Sequence, residues 1–324
     1  MAAPVYSGRV AGIAAGFLAD LVFGDPRRGH PVALFGRAAG SMERAGYADT
    51  RWAGIRHCGV LLGALAVLGV AAERAAVRSG AVAAATLTAA SLFVSLGGAS
   101  LAQTGEDMAR RLRNGDTAAA RRLLPSLCGR DPAVLDDAGL TRAALESVAE
   151  NTSDAAVAPL LWAAVGGVPA VLVYRGANTL DAMIGHRSTR YRRFGWAAAR
   201  LDDLVNLAAA RVTAVLVALC APVVGGSPVA ALRAWRRDAA RHPSPNAGVV
   251  EAAFAGALAV RLGGPTQYAH ELEIRPTLGD GRPPRVEELA RAVRLSRVVQ
   301  AAAVGMAIAL SAAGRSGRQA CPGV

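Results

Sequence analysis

Six apolar runs punctuate the chain, at about residues 10–23, 58–72, 81–103, 155–174, 212–232 and 298–313. A helix needs about 20 residues to cross a bilayer. Runs 81–103, 155–174 and 212–232 meet that length, and the shorter ones need tilt or snorkelling flanks. The stretches between them, 24–57, 104–154, 175–211 and 233–297, are polar and rich in arginine. Residues 104–154 read as amphipathic helix cut into pieces by Pro125, Gly129 and Pro132, and 276–284 as a Pro- and Gly-rich loop before a last polar helix. Two of the long runs carry the same interruption, Val165-Gly166-Gly167-Val168-Pro169 and Val224-Gly225-Gly226-Ser227-Pro228. A glycine pair supplies positive φ and proline removes a donor, so each interruption ends, turns or kinks a helix. The pattern predicts an all-α, polytopic integral membrane protein, one membrane domain over 1–324, with broken or re-entrant apolar helices and arginine-rich cytoplasmic segments.

Composition strengthens this picture. Of 324 residues, 53% are hydrophobic but only 5% aromatic, so the apolar mass is Ala, Val, Leu and Gly. Mean hydropathy is +0.31, above the soluble range. Small residues of this kind let membrane helices approach closely. The net charge of +12 comes from 36 arginines and no lysine at all. That excludes a P-loop lysine, a Schiff base and a lysine adenylate. Arginine suits planar, two-bond contacts with phosphate and carboxylate, and the uncharged run 81–103 argues against a nucleic-acid binder. Cys58, Cys128, Cys220 and Cys321 are scattered without a CxxC pair and read as structural thiols. The N-terminal residues carry no cleavable signal pattern, so insertion would use the helices themselves.

Four polar segments are too particular to be connectors. The first is Gly24-Asp25-Pro26-Arg27-Arg28-Gly29-His30-Pro31-Val32 with Gly36-Arg37. Asp25 suits a metal ligand or N-cap and the Arg pair a phosphate clamp, although a turn with membrane-edge arginines reads the same way. The second, ESVAENTSD, places Glu146, Glu150 and Asp154 at i, i+4 and i+8 of one helical face. Like charges so spaced cost roughly 0.2–0.5 kcal/mol per pair, so the stack calls for a cation, Mg²⁺ or Arg. Alternatively, Thr152-Ser153-Asp154 caps a helix beginning near Ala155. The third runs from Tyr174 to Asn206 and interleaves Asn178, Asp181, His186, Arg187, Arg190, Arg200 and Asp202 with aromatics, a mixture suited to a polar, ring-shaped substrate. The fourth, Arg241-His242-Pro243-Ser244-Pro245-Asn246-Ala247-Gly248, then Glu251 and Leu262-Gly263-Gly264-Pro265, pins a rigid loop presenting Ser244 and Asn246. No G-x-S-x-G context makes Ser244 a nucleophile.

Read in order, GDPRRGHPV, ESVAENTSDAAVAPLLW, YRGANTLDAMIGHRSTRYRRFGWAAARLDDLVN and HPSPNAG with LGGP resemble the adenosylcobinamide-phosphate synthase family over roughly residues 10–312. Ala155 stands where that family has Gly after NTSD, and Val249-Val250 where it has Trp-Pro. The resemblance implies a ligase of vitamin B12 assembly, joining a propionate of adenosylcobyric acid to (R)-1-aminopropan-2-ol or its O-phosphate. A carboxylate does not acylate an amine unactivated, so ATP and Mg²⁺ are expected, through an acyl phosphate. On that basis Glu146, Glu150 and Asp154 are the expected metal ligands, with Glu150 also catalytic. Arg27, Arg187 and Arg190 are expected on phosphate, and Arg200, Asn178, Ser244 and Asn246 on substrate. Asp202 or Asp181 would be the base or amine clamp. Expected partners are the corrinoid, the amino alcohol, the bilayer and other cobalamin-assembly enzymes, but no nucleic acid. A permease is the reading from another class.

Arginine positions predict the topology. If every run crosses, the four motifs are split across the bilayer. If 155–174 and 212–232 each dip, turn at V-G-G-x-P and return, all four share a face holding 31 of the 36 arginines. The positive-inside rule makes that face cytoplasmic, on a cell (inner) membrane, with four true spans and both termini outside.

Overall fold

The computed structural model describes residues 2–26, 29–186, 188–267 and 272–319. In chain order the helices are α1 (Ala2–Phe23), α2 (Pro31–Gly46), α3 (Arg51–Ser79), α4 (Ala81–Phe93), α5 (Gly98–Arg113), α6 (Thr117–Leu123), α7 (Asp137–Thr152), α8 (Ala158–Leu180), α9 (Tyr191–Phe194), α10 (Trp196–Cys220), α11 (Pro228–Asp238) and α12 (Ala247–Leu258). A short antiparallel pair, β1 (Leu262–Gln267) and β2 (Leu272–Leu278), precedes α13 (Val286–Gln319). Among the described residues, five helical stretches are long and apolar enough to cross a membrane: Arg51–Ser79, Ala81–Arg113, Asp137–Gly185, Trp196–Val224 and Val286–Ala313. The all-α, polytopic expectation is met. Helix starts follow the capping residues: Thr50, Asp116, Asp136 and Ser227 each accept a backbone N–H two or three residues inside the helix they open.

The chain forms two compact units from interleaved segments. The first is Met1–Gly97, Ala158–Asn206 and Ala303–Val324; the second is Gly98–Val157 and Leu207–Ala302.

In the first unit α1 lies against α4 through Gly8, Gly12 and Gly16. A Cβ on Gly12 would stand 2.5 Å from Thr88 Cβ, so only glycine allows this approach. Helix α8 breaks at Gly167 (φ 66°, ψ −155°). A Cβ on Gly166 would lie 2.5 Å from Ala170 Cβ, whereas residues four apart on a regular helix keep about 5–6 Å. Trp162 Nε1 donates to Val205 O (3.1 Å) and Tyr174 Oη to Asn206 Oδ1 (3.0 Å). Both arms thus reach adjacent residues of α10, while a straight helix would separate Trp162 and Tyr174 by about 18 Å. The run folds back on itself. Its exposed backbone groups are satisfied by an ion pair: Glu73 Oε1 accepts from Val168 N (3.3 Å) and pairs with Arg9 (3.2 Å), whose NH1 donates to Ala164 O (3.4 Å). That is the condition on which irregular backbone is tolerated at membrane depth.

The second V-G-G-x-P behaves differently. Gly225 (φ 67°) stops the chain after a 3₁₀ turn, and Ser227 and Pro228 start α11. Helix α11 carries Arg233, Arg236 and Arg237 and packs on α12, so it is no apolar return arm. The expectation of a second re-entrant hairpin is corrected: charge on the following eleven residues makes a surface helix. Run 81–103 is also not one helix; it is interrupted at residues 94–97. Thr152-Ser153-Asp154 caps nothing, because helix continues through a π-helical turn, Ser153–Val157. That turn takes Asp154 out of the 3.6-residue phase that had aligned it with Glu146 and Glu150. Strands β1 and β2, within what reads as a polar segment and loop, were not foreseen; two-stranded edges tolerate Pro265 and Pro276.

Candidate active site

The second unit assembles a buried charged cluster from four segments. Helix α7 presents Glu146, only 1% exposed. One carboxylate oxygen accepts from Arg130, in the turn before α7, and the other from Gly263 N (2.7 Å), in the LGGP bulge of β1. Gly263 needs its positive φ (81°), and a Cβ there would lie 2.1 Å from Pro276 O. One turn on, Glu150 is half-buried on α7. Helix α12, buried along its whole length, contributes Glu251, also 1% exposed. Arg275 of β2 stands 3.9 Å from Glu251 and 3.5 Å from Glu273. Burial, and then the charges of Glu146 and Glu150, push the Glu251 carboxyl well above the ordinary carboxylate range. Its Oε1 has no hydrogen-bond partner.

The HPSPNAG loop lies in the same unit. His242 Nδ1 accepts from Ser244 N (3.1 Å), while its buried Nε2 has no partner. Burial, then the charge of Arg275, pulls this imidazole below its usual range and keeps it neutral at pH 7. Ser244 Oγ accepts from Asn246 N (3.3 Å) and Ala247 N (3.1 Å), opening α12, and Asn246 Oδ1 accepts from Arg211 (2.7 Å). Ser244 is thereby a loop-shaping residue.

The first unit holds a second, amide-laced network. Asp202 of α10 accepts from Asn178 Nδ2 (3.3 Å) on one oxygen and Asn206 Nδ2 (3.1 Å) on the other. Arg175 donates to Asn178 (3.3 Å), and Tyr174 to Asn206 (3.0 Å). Asp181 lies in a π turn, Asp181–Gly185, with its carboxylate so close over Gly185 that a Cβ there would be 1.8 Å from Oδ1. Arg190 forks onto Glu43 (2.9 and 3.2 Å) and stacks on Tyr47 (4.0 Å), and Arg200 pairs with Asp203 (3.5 Å) on the surface of α10. Arg27 and Arg187 lie outside the described residues.

Of the expected metal set, Glu146 and Glu150 fall in the buried cluster, while Asp154 lies in the π turn beyond. Among the described residues no three His, Cys, Asp or Glu side chains converge to hold a metal. Sequence reasoning assigned no role to Arg130, His242, Glu251 or Arg275. Glu251 had a signal: it is the one charge in an otherwise apolar helix, AGVVEAAFAGAL. Arg130 and Arg275 had none, since one sits in a turn and the other in an unforeseen strand.

Fold and site define a polytopic helical membrane protein whose polar motifs build Arg–Glu and Asp–Asn clusters. The chain belongs to the CobD/CbiB family, whose model, described as CobD/Cbib protein, matches residues 13–296. It is 66% identical over 310 residues to the cobalamin biosynthesis protein CobD of Mycobacterium tuberculosis (strain ATCC 25618 / H37Rv), covering 96% of this chain and 98% of that one. The CobD of Stutzerimonas stutzeri (strain A1501) is 43% identical over 282 residues, covering 86% and 90%. No solved structure matches. Its place is in cobalamin biosynthesis.

Proposed function

We propose that the chain is an ATP-dependent amide synthase that joins a propionate carboxyl of adenosylcobyric acid to (R)-1-aminopropan-2-ol or its O-phosphate. One observation carries the chemistry: ESVAENTSD, the helix after HPSPNAG, and LGGP, far apart in sequence, meet at Glu146, Glu251 and Gly263 in one buried cluster. In the reaction the propionate oxygen attacks the γ-phosphorus of ATP and ADP leaves. The amine nitrogen then attacks the acyl carbon, the acyl C–O bond to phosphate breaks, and the amine proton passes to a base. Arg130 and Arg275 offset only part of the glutamate charge there, so a bound cation is called for beside the anions of the reaction.

Both oxygens of Glu146 are engaged within the protein, so Glu150 is the better donor for Mg²⁺, which demands only one or two carboxylates beside substrate phosphates. When bound, that ion neutralises phosphate charge. Glu251, with no hydrogen bond at Oε1, and neutral His242, with none at Nε2, are groups able to move a proton. In the first unit Asp202, fixed by two amide donors, is the candidate amine clamp, with Asp181 its alternative. The active site faces the cytoplasm of the cell membrane, where ATP is found. The route is tested by ¹⁸O: a corrinoid labelled in the propionate carboxyl delivers one ¹⁸O to released phosphate. Label retained wholly in the corrinoid product excludes the acyl phosphate.

A further inference from the structure

Helix α11 begins where a membrane-length stretch ends. Trp196–Val224 is long and apolar enough to cross a bilayer, and only Gly225, Gly226 and the capping Ser227 separate it from α11. That link reaches at most about 14 Å, so the first turn of α11 lies in or beside the headgroup layer, about 5–8 Å deep. Within the second unit, Val215, Leu219 and Val223 recur every fourth residue along the end of the stretch, and all three are exposed. Exposed apolar residues resume beyond the glycines: Val229 is 64% exposed, and Leu232 is half-buried one turn on. The inner face of α11, Ala231, Ala234 and Asp238, is buried. Gly256 of α12 approaches it so closely that a Cβ there would lie 2.3 Å from Ala230 O. The outer face carries Val229, Leu232, Arg233, Arg236 and Arg237 at i, i+3, i+4, i+7 and i+8, around an open groove of about 450 Å³. Arg237 is neutralised by Asp238 (2.7 Å) and Asp280 (2.7 Å). Arg233 and Arg236 are exposed, and among the described residues neither pairs with a carboxylate.

We infer that the outer face of α11 is an anionic-phospholipid site: Val229 and Leu232 rest on the acyl boundary, and Arg233 and Arg236 bind the phosphodiester headgroup. Arginine lays its methylenes along apolar surface and lifts the guanidinium to the headgroups, so valine, leucine and arginine on one face suit the edge of a bilayer. An acidic protein would satisfy the arginines but leave Val215, Leu219 and Val223 without a partner, whereas one bilayer meets both sets. A zwitterionic lipid carries its own cation beside the phosphate, which two unpaired guanidinium groups repel. That selects an anionic headgroup such as phosphatidylglycerol. The site uses none of the residues assigned to amide formation.

The test puts the photocrosslinker p-benzoylphenylalanine in place of Val229 in the full-length protein. Nanodiscs of equal phosphatidylglycerol and phosphatidylcholine are irradiated, and lipid adducts are counted by mass spectrometry. Phosphatidylglycerol adducts should exceed phosphatidylcholine adducts at least about tenfold, from two arginines worth about fivefold each beside an anionic headgroup. Arg233→Gln with Arg236→Gln, both outside the packed face, should bring the ratio close to one while lipid adducts persist and the thermal midpoint holds. Equal adducts of the two lipids with both arginines present overturn the headgroup site, as does a preference that survives in the double variant. Absence of any lipid adduct places α11 in water or against protein and overturns the inference outright. Lipid contact is read without turnover, so a protein that shows the preference yet forms no amide contradicts the synthase reading and leaves the lipid site assigned.

Discussion

The two polar clusters place charge in opposite ways. In the second unit Glu146, Glu251 and Arg130 are almost wholly buried beside a partly exposed Arg275, and three glutamates share two arginines. In the first, the half-buried Asp202 accepts from two side-chain amides, one of which also takes a tyrosine hydroxyl and the other Arg175. A buried ion pair costs most when one member is removed, because the other charge stays behind. An anion held by neutral donors loses only the extra strength of charged hydrogen bonds. Stability and activity should therefore move together at Glu146, whose two oxygens are both engaged within the protein, and separate at Glu150 and at Asp202.

The largest effect is expected from Glu146→Ala. It strands Arg130 and the Gly263 N–H, and should cost about 3–5 kcal/mol, read as a large drop in thermal midpoint in detergent. A midpoint within a degree of wild type would remove the contrast between the clusters. Glu150→Gln comes next: insertion and folding persist, while amide formation falls at least a hundredfold. Near wild-type turnover at saturating Mg²⁺ would take Glu150 out of the chemistry. Asp202→Asn keeps an acceptor for only one of Asn178 and Asn206 and turns an NH2 toward the other, so it should cost about 1–3 kcal/mol, yet should raise KM for the amine more than it lowers kcat. An unchanged KM makes the network structural.

The smallest effect concerns pH. His242 has a folded pKa below its ordinary 6.5, so in the window just under 6.5 the unfolded chain binds more protons than the folded one. The stability it contributes is complete above 6.5 and lost as pH falls toward the folded pKa, by at most about 1.4 kcal/mol per pH unit. Arg275, Glu146 and Glu273 are the charges facing it. His242→Gln should flatten the difference in thermal midpoint between pH 7.5 and pH 5.5; an unaltered difference would assign that slope to other groups.

Sequence carried the architecture further than the site. Apolar runs and breakers are local signals, so the helices and the fold-back at Gly167 were legible. The second V-G-G-x-P, at 224–228, shows the limit: a glycine pair sets where a helix stops, but the residues that follow set where the chain goes. Valine and alanine after Gly167 return beside the first arm, held by Arg9 and Glu73, whereas arginines after Gly226 stay at the surface. The Glu146–Glu150 face was legible as spacing along a helix. Its partner Arg130 was not, because nothing local to a turn reports a contact made sixteen residues away. Asp154 left that face because π turns have no sequence signature as plain as proline's.

The most direct measurement of the central claim is amide formation by the purified protein in nanodiscs, given adenosylcobyric acid, ATP, Mg²⁺ and either amine, with products read by mass spectrometry. The account predicts an amide product in one-to-one ratio with ADP, absent without ATP. No amide with either amine, together with ATP-independent corrinoid uptake in proteoliposomes, would contradict it and make the protein a permease.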